Sequence, residues 1–180
     1  MPLDKIDVST IIFGHLGTLR DYGTHKRSIL DLVLFFALPL AVAATAVWFN
    51  VHVRATAVTA LLTAFSIFVA LLFNLLVMVL TFLQTTGGNP DDRFIVVRKQ
   101  LLREITANLS FAILVALVLV AVAIVALVRT GRDDEPVRRP EVFILAAGSC
   151  NFLLTLLMVL RRMYALLQNE FDRHKLNRAA

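Results

Sequence analysis

Thr56, Thr59, Thr63, Ser66, Asn74, Thr81 and Gln84 follow one another at steps of 3, 4, 3, 8, 7 and 3 residues, with Ala70 in the wide gap. On a helix of 3.6 residues per turn these steps keep to one face. A line of hydroxyls and amides supports two kinds of chemistry. It replaces part of an ion's hydration shell along a water-filled path, or it lets neighbouring helices approach and hydrogen-bond, at about 0.6 kcal/mol per bond in membranes. The line runs through nearly the whole thickness of its apolar segment, whereas a simple helix contact needs only a few small residues. Asn151, with Ala147 and Thr155 at four-residue steps, makes a second polar line, and Asn108 adds an amide near the end of another apolar segment.

Other chemistry finds little footing. His15, His25, His52 and His174 lack the helical pairing that intramembrane metal hydrolysis needs. Ser66 or Ser149 would need a histidine or lysine base at the same depth to act as a nucleophile, and none is placed there. Gly87 and Gly88 lack the lysine and spacing of a phosphate loop and read as a turn. The single cysteine, Cys150, excludes a disulfide framework or a cysteine metal site. The expectation is a protein that is not an enzyme and uses no metal or cofactor.

The elements that must position these residues are four stretches without charge: Leu32 to Val53, Ala55 to Pro90, Ile105 to Val128 and Val142 to Leu160. Each supplies the roughly 20 apolar residues that a helix needs to cross a hydrocarbon core of about 30 Å. A hydrophobic content of 58% and a mean hydropathy of +0.78 agree. The predicted fold is all-α: an integral membrane four-helix bundle. Residues 1–28 form a cytosolic or interfacial arm, residues 29–167 a bundle with spans near 29–50, 55–84, 105–128 and 142–160, and residues 168–180 a cytosolic tail.

Orientation follows from basic residues, which are retained on the cytoplasmic side. Lys5, Arg20, Lys26 and Arg27 lie in the arm, Arg93, Arg98, Lys99 and Arg103 after span two, and Arg161, Arg162, Arg173, Lys175 and Arg178 beyond span four. The other side has Arg54, Arg129, Arg132, Arg138 and Arg139, the last four largely neutralised by Asp133, Asp134, Glu135 and Glu141. Both termini are therefore expected in the cytosol, in a cell inner membrane, with Trp48, Phe49 and Phe143 in the outer aromatic belt. The pI near 10.0 is explained by anionic lipid headgroups and does not call for nucleic acid.

Punctuation refines the elements. Ser28 and Asp31 make a capping box, and Pro39 should kink span one and expose a backbone carbonyl. Gly87 and Gly88 break one helix, and Asn89 to Asp92 start another. That helix would project roughly 22 Å before entering lipid. Phe94, Val97, Leu101 and Ile105 mark an apolar face on it, and Tyr164, Leu167 and Phe171 mark one past the end of span four. These faces need cover from each other, from sister subunits or from a cytosolic protein. In the arm, Ile11, Ile12, Leu16, Leu19 and Tyr22 fit either an amphipathic helix in the headgroup layer or, given Gly14, Gly17 and Gly23, a loop packed on the bundle.

No Asp, Glu, Lys, Arg or His falls near the middle of a span, which argues against a proton-coupled transporter or a voltage sensor. Two functions remain. One is an oligomeric passive ion channel or membrane-permeabilising effector, as in bacterial stress or antiviral defence, with the polar face of span two lining its path. The other is a non-conducting scaffold or sensor that holds a cytosolic partner through the arm, the helical extensions and the tail.

Overall fold

The computed structural model describes residues 8–18, 29–85, 93–130 and 137–179. Its helices are α1 (Ser9–Thr18), α2 (Ile29–Trp48), α3 (Ala55–Thr85), α4 (Arg93–Thr130) and α5 (Arg139–Ala179), with no strand among the described residues. At 1.5 Å per residue, α3, α4 and α5 are roughly 46, 57 and 61 Å long. Ala55–Gln84, Phe94–Thr130 and Arg139–Asp172 are each long and apolar enough to cross a membrane, and α2 adds the shorter apolar stretch Phe35–Trp48. These long apolar helices mark a membrane protein. The cap read for Ser28 and Asp31, the break at Gly87 and Gly88, the restart at Asn89 to Asp92 and the acidic run from Asp133 to Glu135 lie outside the described residues and side chains.

The turn between α2 and α3 is built by hydrogen bonds that close the end of α2. Val51 N–H donates to the Ala46 carbonyl at 3.0 Å and Asn50 N–H to the Val47 carbonyl at 3.1 Å. Asn50 sits between them at φ 49°, a left-handed position that asparagine tolerates better than most residues. The Arg54 carbonyl then accepts the first bonds of α3, and Val137 N–H donates to the Val53 carbonyl, tying the start of α5 to this hairpin. Pro140 lies in the first turn of α5, where its missing donor costs nothing. Glu141, at the positive helix mouth, is buried and receives Arg129 Nη1 at 3.2 Å from the last turn of α4.

The core is organised around α4. Leu102, Ile105, Leu109, Ala112, Ala116, Leu119, Ala123 and Ala126 alternate at three- and four-residue steps, and all are fully buried. That 3.5-residue period is the seam of a left-handed supercoil. Val58, Phe65, Leu72 and Val79 meet it from α3 at seven-residue steps, and Leu145, Phe152 and Val159 do so from α5. Lipid gives apolar helices no hydrophobic reason to associate, so small residues must allow close packing. The four alanines do so, as does Gly148 of α5, where an added Cβ would lie 2.5 Å from Leu119 Cδ2.

Packing runs in the order α3, α4, α5, α2; among the described residues α2 and α3 do not pack on one another despite their short hairpin. At the end opposite that hairpin, α4 and α5 continue side by side. Arg162 pairs with Glu104, Arg98 Nη1 lies 3.1 Å from Glu170 Oε1, and Asn169 Nδ2 donates to the Phe94 carbonyl at 3.3 Å. The two extensions thus cover one another in part through ions and amides as well as apolar side chains. In the arm, residues 9–18 form a helix that lies against α4, with Gly14 opposite Ala107 at a distance where an added Cβ would make only an ordinary contact, 3.8 Å.

Candidate functional site

The polar line read on span two belongs to α3. Thr56, Thr59, Thr63, Ser66, Asn74, Thr81 and Gln84 are all exposed, on a face turned away from the seam of Val58, Phe65, Leu72 and Val79 that grips α4. Among the described residues they line no path inside a single chain. The hydroxyls of Thr59, Thr63, Ser66 and Thr81 donate to the carbonyls four residues earlier, those of Ala55, Thr59, Leu62 and Val77, at 2.8 to 3.0 Å. Their hydrogens are thereby used and their oxygens face outward as acceptors. Asn74 is different: its amide makes no side-chain hydrogen bond among the described residues. A primary amide cannot be satisfied by acyl chains, so this position calls for water or another polypeptide.

Asn151 does not join that line. Its Nδ2 donates to the Phe35 carbonyl at 3.3 Å. Phe35 precedes the buried Pro39 by four residues, so its carbonyl is the one that loses a helical donor to the proline ring. The proline and the amide, read separately in the sequence, are two halves of one contact between α2 and α5. Thr155, the next residue of that polar row, is buried and donates to the Asn151 carbonyl at 2.9 Å.

A third constellation is not foreshadowed by any motif. His15 of α1 is buried, and its Nδ1 donates to Asn108 Oδ1 at 2.8 Å. The imidazole stacks on Phe111 with centroids 4.0 Å apart and planes 4° from parallel, and tilts against Phe35 at 5.2 Å. Burial holds its pKa below the usual 6.5, opposed by the Asn108 bond and reinforced by the nearby Arg162 charge. A histidine assigned to the arm by sequence thus meets α4 through an amide and a phenyl ring, and α2 through a second ring. The only signal for it is a buried-type amide, Asn108, within an otherwise apolar row.

The residues proposed for contacts beyond the chain separate into two groups. Leu101 is buried and Phe94 and Val97 are half-buried, so they belong to the packing of α4. Tyr164, Leu167 and Phe171 are exposed. The face that α4 turns inward includes Ile95, Leu101, Leu102 and Ile105, so two residues of the row read in the sequence, Leu101 and Ile105, lie on it. Among the described residues no group of three His, Cys, Asp or Glu side chains gathers as metal ligands. No family model, no curated protein and no solved structure matches the chain.

Proposed function

We propose that the chain is a four-span protein of the cell inner membrane, with both termini cytosolic, and that it assembles into an oligomeric passive channel or membrane-permeabilising effector. The carrying observation is the α3 face: a column of outward oxygens and an Asn74 amide with no hydrogen-bond partner among the described residues, on a helix whose other side is already packed. Copies that turn these faces toward a shared axis give the amide water or a sister amide. The spent hydroxyl hydrogens leave acceptors toward the path, which favours cations over anions. With no ionisable residue midway along the spans, conduction is passive. A role in bacterial stress or antiphage defence is an analogy of architecture.

Purified protein in liposomes should release trapped potassium, and Thr63→Leu or Ser66→Leu should suppress that release while assembly is unchanged. Full release by both variants, or loss of assembly alone, would favour a structural role for the stripe. A second reading, a non-conducting scaffold or sensor for a cytosolic partner, is favoured by the exposed Tyr164, Leu167 and Phe171. A silent bilayer together with full partner recruitment would decide for it.

A further inference from the structure

On α5, Leu153, Leu157, Leu160, Tyr164, Leu167 and Phe171 recur at steps of 4, 3, 4, 3 and 4, and each is between 55% and 65% exposed. The neighbouring side of the helix, about 100° round and with Leu145, Phe152 and Val159, already holds α4, and α2 packs on α5 as well. This is a second seam of coiled-coil period, about 27 Å long, with nothing packed on it among the described residues. Arg161 and Arg162 divide it in two. The leucines before them belong to the apolar stretch, where lipid can cover them. Tyr164, Leu167 and Phe171 follow on a charged part of the helix, where lipid cannot.

We infer that this seam is the contact between two copies of the chain, their α5 helices side by side and parallel across a two-fold axis along the membrane normal. The inference rests on the reading that the inner bilayer boundary falls beside Arg161 and Arg162. A partner that covers the whole seam must change from apolar to charged surroundings at the same depth. A second α5 does so by symmetry, whereas a soluble protein reaches only the half beyond the arginines. The flanking positions agree. In a parallel pair each residue just before a seam position at 157, 164 or 171 faces the residue five places on in its partner. Arg161 then faces Leu156, Gln168 faces Met163, and position 170, a glutamate, faces position 175, a lysine. No like charges oppose one another, and no seam position is charged.

The test uses full-length protein in native membranes, in a Cys150→Ser background that removes the half-buried thiol. Leu160→Cys and Leu167→Cys each place a thiol at a position that meets its own copy across the axis, one on either side of the arginine pair. Both should give disulfide-linked dimers on mild oxidation, whereas Lys99→Cys, exposed on α4, should stay monomeric. Leu167→Glu and Phe171→Glu, exposed in the single chain and so compatible with its fold, should lower the dimer fraction at least tenfold. Absence of both cross-links, equal cross-linking at Lys99, or linkage only to a different protein would overturn the inference. Loss of the protein from carbonate-washed membranes would instead reject the bilayer reading beneath it.

Discussion

Replacing Asn151 by leucine isolates the contact that joins α2 to α5. The Phe35 carbonyl has no helical donor because residue 39 is proline, and the Asn151 amide reaches it at 3.3 Å, the long end of the useful range. Interhelical bonds in membrane proteins average about 0.6 kcal/mol and reach about 1.7, and a buried acceptor left without a partner costs about 1–3 kcal/mol. Loss of the amide should therefore cost about 1 kcal/mol, roughly a fivefold change in the unfolding equilibrium. In a Pro39→Ala background the restored N–H of residue 39 takes the carbonyl, and the same Asn151→Leu change should cost close to nothing. Unfolding of the four proteins in mixed micelles of increasing sodium dodecyl sulfate, followed by far-ultraviolet circular dichroism, gives the coupling directly. An equal cost in both backgrounds would refute the reasoning and leave Asn151 as a packing residue.

Gly148→Ala should destabilise the α4 and α5 contact by about 1–3 kcal/mol, because the new methyl meets the buried Leu119 at 2.5 Å. The same unfolding assay should show much of that loss recovered when Leu119 is also reduced to alanine, and additive losses would contradict it. Docking of α1 should depend on pH through His15, whose pKa is lowered mainly by burial. A histidine with a lowered docked pKa favours docking in its neutral form. Amide protection of α1 by hydrogen exchange should thus be full above pH 6.5 and decline as pH falls below it toward the docked value. In His15→Phe the decline should vanish, and a slope that persists would assign it to another group.

The charge-free stretches and their short connections are legible in the sequence because burial of a helix in lipid leaves a compositional mark on every residue. Registers between helices leave no such mark. Pro39 and Asn151 each carry a visible signal, but only packing brings an amide to the carbonyl that the proline leaves without a donor. On α4 the inward row passes through Arg98, whose charge hides it from an apolar pattern search; paired with Glu170 across the contact, it is part of the seam all the same. Tyr164, Leu167 and Phe171 stand out against charged neighbours, whereas Leu153, Leu157 and Leu160 on the same row vanish into a background of leucine. His15 is the opposite case. The side chains it touches come from two other helices, α2 and α4, and Gly14 and Gly17 argue locally against a packed helix.

Whether water reaches the α3 face decides the central claim. In the Cys150→Ser background, Ser66→Cys places a thiol on the polar face, and Leu71→Cys places one on an exposed apolar flank of the same helix. A membrane-impermeant, water-soluble thiosulfonate applied to the assembled protein in liposomes should modify Ser66→Cys and leave Leu71→Cys intact. If both thiols remain unmodified, that face lies in lipid or dry protein and the conduit account is contradicted.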